Sequence, residues 1–262
     1  LKMPLNMLAI CVEEVRITDE IAWIAIISTK LRRDLLRYAL ERKDFKIIPN
    51  VVDTRIFYPA DINKKDSKRR LLFVGGLEPI KGIPYLLKAL SMVKEKRDDF
   101  VLDIVGDGYK RSEYERIVNE LKLNGHVIFH GLKSKEKVAE FMRQCDFFVL
   151  PSLWESQSCV LIEAMACGRP VITTSSGGTK EIVGEESGVI VPPKDVQALA
   201  EAIIYMLDNF KNYSHHKISQ HAKYSFGHER VGKLLYNTYR HVVYKYKSRN
   251  LEYDGCGNCK RC

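Results

Sequence analysis

Between Leu71 and Val191 the chain alternates short apolar runs with glycine-bearing loops and segments of helical periodicity. The runs Leu71–Val74, Val101–Val105, Val127–Phe129, Phe147–Leu150, Val171–Thr173 and Val189–Val191 read as strands. Helices are expected at about 83–96, 110–122, from Ser134, 158–167 and 195–208. The first carries Ile83, Leu86, Leu87, Leu90 and Val93 on one face, and the last Val196, Leu199, Ala200, Ile203 and Ile204. Strands and helices in this order build a parallel sheet covered on both faces, the doubly wound, Rossmann-like α/β class. Upstream, Ile21–Ile27 reads as a strand, Ser28 and Thr29 as the cap of a basic helix over about 30–42, and Phe45–Ile48 as a strand ended by Pro49. Residues 49–70 have no period, and composition shifts near Pro49, which marks a domain boundary. A long Tyr-rich helix over about 228–247 closes the chain.

The stretch Pro151–Pro170 carries the most chemical information. It follows the strand Phe147–Leu150 and leads into a helix that is apolar almost all round, with Gly168 as its stop and Ser156 or Ser158 as its cap. Glu163 is the only charge on that helix, and a buried carboxylate is costly unless something bonds to it. Glu155 precedes it on the strand-to-helix loop, where open α/β sheets bind ligands. Two acids therefore point at one crevice. The alternative is a helix cap at Glu155 and a core ion pair at Glu163.

Glycines recur at the expected strand ends: Gly75 and Gly76, Gly106 and Gly108, Gly131, and Gly177 with Gly178. Glycine there admits a ligand close to the backbone, and each following helix offers free N–H groups to an anion. Four such loops on one sheet edge point to a nucleotide. Gly76–Gly82 resembles a P-loop only superficially, because the order is Lys81-Gly82 and no Ser or Thr follows to hold magnesium. No G-x-G-x-x-G follows the first strand, which argues against a nicotinamide cofactor. Lys81 either reaches the phosphates of a ligand or is a surface lysine at a helix start.

The 262 residues suit one large domain or one and a half. The net charge of +9 suits an anionic partner: phosphates, a membrane surface or nucleic acid. The densest basic run, Lys64–Arg70, reads as a solvated linker face or as a contact with anionic membrane. No nucleic-acid partner is expected. No apolar run is long enough to span a bilayer, and Leu1–Val12 has no cleavage-site pattern. Cys11, Cys145, Cys159 and Cys167 read as core residues. Cys256, Cys259 and Cys262 make a C-x-x-C-x-x-C tail, read as reduced and unordered because a metal site needs a fourth ligand. The odd cysteine number favours a reducing, cytoplasmic location, with peripheral membrane association at the inner face as an extension of it.

Taken together, these motifs resemble the C-terminal, donor-binding half of the GT-B-fold retaining glycosyltransferases of family four. The resemblance runs from about Asp19 to Tyr246. Its most specific part is Pro151-Ser-x-x-Glu155 … Glu163-Ala-Met-Ala-x-Gly168-x-Pro170, similar to the family's E-x7-E element. Ile48–Asp53 resembles its I-P-N-G-V-D linker, and Val74–Gly82 its V-G-R-L-x-x-x-K-G loop. Val105–Gly108, Phe129–Gly131 and Gly177–Glu181 match further loops in order. The resemblance implies that Lys81 binds the donor diphosphate, Glu163 the ribose hydroxyls, and Glu155, the catalytic residue of the set, the transferred sugar near the reacting carbon. It implies that backbone amides of Ser156, Gln157, Ser158 and Cys159 face sugar and phosphates, and that Gly131 and Leu132 cover the base. Gly75, Gly76, Gly106 and Gly108 complete the donor loops. It also implies retention of configuration, a glycan or lipid-linked acceptor, and no cofactor or protein metal.

Three positions depart from the family pattern: Gly76 replaces a cationic Arg, Ser156-Gln157-Ser158 replaces Gly-Phe-Gly, and Lys180 replaces Pro. On this resemblance residues 1–48 are the end of an acceptor-binding domain that lies mostly upstream. Residues 49–225 are the nucleotide-sugar domain, 226–247 a helix returning toward the first domain, and 248–262 the cysteine tail. The other readings are a nucleotide-sugar-binding or partner-binding module without catalysis, and a GT-B-fold epimerase.

Overall fold

The computed structural model describes residues 12–16, 22–26, 45–60 and 68–254. The chain divides into two compact units, one of residues 1–50 with 228–262 and one of residues 51–227. In the first, β1 (Val12–Arg16) runs antiparallel to β2 (Ala22–Ile26), which runs parallel to β3 (Phe45–Ile47). The sequence reading had only the second and third of these strands. The basic helix expected at 30–42, Cys11, most of the run 64–70 and the cysteine tail lie outside the described residues.

The second unit is a six-stranded, all-parallel sheet. Its strands are β4 (Arg69–Val74), β5 (Phe100–Val105), β6 (Val127–Gly131), β7 (Phe147–Leu150), β8 (Val171–Thr174) and β9 (Gly188–Val191). They lie in the order β6-β5-β4-β7-β8-β9. Counted within the unit that is 3-2-1-4-5-6, the doubly wound arrangement expected from the alternation. The helices are α1 (Ile83–Lys94), α2 (Arg111–Glu120), α3 (Lys135–Gln144), α4 (Cys159–Ala166), α5 (Val196–Asn209) and α6 (His215–Phe226). α1 packs against α2 and α5, and α4 against α3 and α6. Right-handed crossovers place these two groups on opposite faces of the sheet. The long last helix, α7, spans His228–Asp254, about two turns beyond the expected end.

Local chemistry accounts for most boundaries. β5 and β7 are buried along their whole length, as strands covered on both faces must be. All five residues expected on the inner face of α1 are buried. In α5, Leu199, Ala200 and Ile203 are buried, while Val196 and Ile204 are only partly covered and Met206 and Leu207 take the remaining places. Ser134 caps α3 through Lys137 N and Asp195 caps α5 through Ala198 N, 2.9 Å away. Gly168 stops α4 with φ +76°, and its N–H donates to Met165 O while that of Arg169 donates to Ala164 O. That is the paired carbonyl cap of a left-handed helix end.

Among the described residues no helix is long and apolar enough to cross a membrane.

Candidate functional site

In a parallel sheet all strands end on one edge, so the loops after β4, β5, β6, β7 and β8 share it. The connections from β4 and β7 lead to opposite faces of the sheet, and the crevice between these neighbouring strands is where such sheets bind ligands. Lys81 ends a single 3-10 turn, Pro79–Lys81, after β4. Glu155 lies on the loop after β7. Although 74 residues apart, the two meet: Lys81 Nζ donates to Glu155 Oε1 at 2.8 Å. Ser152 Oγ donates to the same oxygen, also at 2.8 Å. Ser152 is completely buried and was not singled out in the sequence, although it is the Ser of Pro151-Ser-x-x-Glu155. Below it Thr174 Oγ1 donates to Ser152 O and shares a 2.9 Å hydrogen bond with Ser176 Oγ. A buried hydroxyl network on the ends of β7 and β8 thus supports the carboxylate.

The loops are also joined by backbone. Leu153 N donates to Ile80 O at 2.8 Å, Leu77 N to Asp107 O at 3.0 Å, and Gly178 N to Glu155 O at 3.2 Å. Several glycines serve these junctions. A Cβ at Gly106 would lie 2.0 Å from Gly75 O, and one at Gly108 2.8 Å from Leu77 N. At Gly82 a Cβ would lie 2.0 Å from Pro151 O, which explains Gly after Lys81. Gly76 and Gly131 differ, since a Cβ at either would meet only side chains, at 3.5 Å or more. A Cβ at those two positions would be in ordinary van der Waals contact, with Glu78 at Gly76 and with Arg111 and Asp107 at Gly131. Leu132, beside Gly131, is 76% exposed.

The turn Ser156–Ser158 leads into α4. Gln157 and Ser158 are buried. Ser158 has the N-cap conformation but its side chain makes no capping bond. The first amides of α4 therefore look for acceptors elsewhere, and an anion is the natural one. Cys159 corrects the sequence reading: it is exposed, not core. As the first residue of α4 it sits at the open end of the helix, while Cys145 and Cys167 are buried as expected. Partial desolvation of the sulfur, with the carboxylates of Glu163 and Glu155 nearby, raises the Cys159 thiol above its ordinary pKa.

Glu163 faces the same end. The helix around it is buried at Leu161, Ile162, Ala164, Met165 and Ala166. Its carboxyl is partly buried and makes no hydrogen bond or ion pair among the described residues. Burial raises its pKa, offset only by the positive charge of Lys135. The core ion pair considered for Glu163 is thus absent, whereas Glu155 is paired. A carboxylic acid with a raised folded-state pKa holds its proton in the fold at pH values where the unfolded chain has lost it. Stability then falls as pH rises from the ordinary carboxylate range through the folded pKa. Glu163→Gln should therefore stabilise the unliganded chain at pH 7, and flatten that decline, measured by denaturant midpoints from pH 4 to 8. A carboxylate kept at a cost to stability points to a ligand that supplies its hydrogen bonds.

Among the described residues no group of three His, Cys, Asp or Glu side chains could hold a metal ion. What the crevice offers is an ammonium, uncapped helix amides and a carboxyl group with no hydrogen bond or ion pair among the described residues. That set suits a phosphate-bearing ligand with hydroxyl groups.

Known proteins carry the same pattern. The family model for glycosyl transferases group 1 matches residues 54–224. An uncharacterised glycosyltransferase of Methanocaldococcus jannaschii is 31% identical over 193 residues, 72% of this chain and 49% of that protein. The D-inositol 3-phosphate glycosyltransferase of Acidothermus cellulolyticus is 33% identical over 199 residues, 69% of this chain and 44% of that protein. The chain spans about half the length of these curated relatives. Among solved structures, sucrose-phosphate synthase from Thermosynechococcus elongatus superposes with a TM-score of 0.76 at 28% identity, covering 85% of this chain and 59% of its own. The parallel sheet in the order 3-2-1-4-5-6, the crevice at its switch point and the match over most of that unit agree: the chain belongs to the glycosyl transferases group 1, with the Rossmann-like architecture of the GT-B glycosyltransferases.

Proposed function

We propose that the unit of residues 51–227 binds a nucleoside-diphosphate sugar and that the complete enzyme transfers the sugar, with retention, to a glycan or lipid-linked acceptor. The observation that carries this reading is the partnerless carboxyl of Glu163 on the helix whose first amides face the same crevice as Lys81. Lys81 and the amides of Ser156–Cys159 take the diphosphate, and their fixed positive ends stabilise the charge that grows on it as the sugar leaves. Glu163 takes the ribose hydroxyls. Gly131 and Leu132 lie against the base, Gly75, Gly76, Gly106 and Gly108 line the donor side, and Glu155 faces the sugar near the reacting carbon. No residue here is assigned to hold a metal or cofactor. The acceptor and its binding groups belong to the rest of the enzyme, and the net charge of +9 suits an acceptor at an anionic surface on the cytoplasmic side.

Calorimetric titration of the chain with UDP-glucose, GDP-mannose and ADP-glucose tests this. One of the three should bind in the micromolar to millimolar range, and Glu163→Gln should weaken it by about 1.5–3 kcal/mol, the worth of a hydrogen bond to a charged group. A folded chain that binds none of them contradicts the proposal.

A further inference from the structure

The ion pair between Lys81 and Glu155 has a consequence beyond the roles given to either residue. We infer that Glu155 competes with the bound diphosphate for Lys81, and that this competition weakens the hold on the product nucleoside diphosphate more than on the sugar donor. The inference rests on the proposed donor site and adds product discharge to it.

The pair is built into the fold. Glu155 is 8% exposed, and Ser152, fully buried, donates to the same oxygen that Lys81 holds. The main chain of Glu155 is fixed from the other side, where its carbonyl accepts from Gly178 N and lies so close to Gly177 that no Cβ fits between them. The carboxylate therefore stays near the ammonium when a ligand enters. At Gly76 the chain offers no side chain to share the phosphates, so the hold on them depends strongly on an ammonium that already has an anionic partner.

The two ligands differ in charge. A diphosphate linked to a sugar carries about two negative charges, whereas a free nucleoside diphosphate gains another because its terminal phosphate ionises near pH 6. A fixed carboxylate in a partly desolvated site opposes the more highly charged ligand more strongly. For the donor the same carboxylate has a compensating contact, since it accepts hydrogen bonds from the sugar hydroxyls. Loss of the sugar removes that contact and adds charge at once, so the product is held less tightly than the diphosphate alone would allow.

The test is calorimetric, at pH 7.5, with UDP and UDP-glucose and with GDP and GDP-mannose. Wild type, Glu155→Gln and Glu155→Ala are compared. Either variant should tighten the free diphosphate about three- to tenfold, corresponding to roughly 0.7–1.4 kcal/mol, while leaving the sugar nucleotide unchanged or weaker. The ratio of the two affinities should move the same way for both variants, so failure of one to fold leaves the other to decide. An unchanged or weaker diphosphate affinity in a folded variant overturns the inference while leaving the donor site standing. Failure of the wild type to bind any of the four overturns the inference and the donor site together.

Discussion

Replacing Gly177 by alanine should cost about 3 kcal/mol of stability and most of the donor affinity, although Gly177 touches no ligand in the proposed site. Its φ of +59° disfavours any side chain, and a Cβ would fall 1.3 Å from the carbonyl oxygen of Glu155. No rotamer relieves that overlap, because both partners are backbone. The loop after β8 would have to move off the loop after β7, breaking the hydrogen bond from Gly178 N to Glu155 O and shifting Glu155 away from Lys81 and Ser152. For a unit of this size the loss corresponds to a melting temperature lower by about 6–12 °C. Denaturant unfolding followed by circular dichroism measures it. Wild-type stability in Gly177→Ala would mean that the two loops do not touch.

Lys81→Ala should weaken a nucleoside-diphosphate sugar by about 1.5–3 kcal/mol, a factor of roughly 10–100, and leave the free nucleoside almost unaffected. The backbone of Lys81 is set at the end of the 3-10 turn, beside Gly82 packed on Pro151 O, and its ammonium is held by Glu155 Oε1 at 2.8 Å. Equal losses for nucleoside and sugar nucleotide would show that Lys81 acts through packing. Gly76→Arg is the complementary change. The nearest neighbour of a Cβ at Gly76 is the side chain of Glu78, 3.7 Å away, so a side chain can start there, and an arginine reaching the phosphates should tighten the sugar nucleotide. In that variant the loss on Lys81→Ala should shrink, because two cations share the phosphates.

The sheet was legible because its signal is local and repeated. Each of β4–β9 is a short apolar run, and α1 and α5 show their buried faces at helical spacing. α6 was not read. Only Ile218, Ala222 and Phe226 of its twelve residues are buried, one per turn among His, Lys and Ser, too thin a stripe to stand out. Its cap could have revealed it, since Ser214 Oγ accepts from Lys217 N. β1 carries two consecutive acids, which hid it. At the site, the separate residues were visible but their pairing was not. The contact of Lys81 with Glu155 depends on β4 lying beside β7, which only the strand order supplies. The glycines drew attention as places for a ligand, and the close approach of neighbouring loops at Gly82, Gly106, Gly108 and Gly177 was not visible in the sequence. Cys159 looked like core because its neighbours in sequence are apolar, but a helix's first residue follows the open end of the helix.

In the proposed function one crevice, at the switch point between β4 and β7, holds a nucleotide sugar. Amide hydrogen exchange of the chain with and without the sugar nucleotide that binds it tests this directly. Slower exchange is expected only in the loops at 75–82, 106–109 and 131–133 and in the turn and first helical residues at 155–161, with the opposite edge of the sheet unchanged. Protection absent from these loops, or centred on another part of the chain while the ligand is bound, would contradict it.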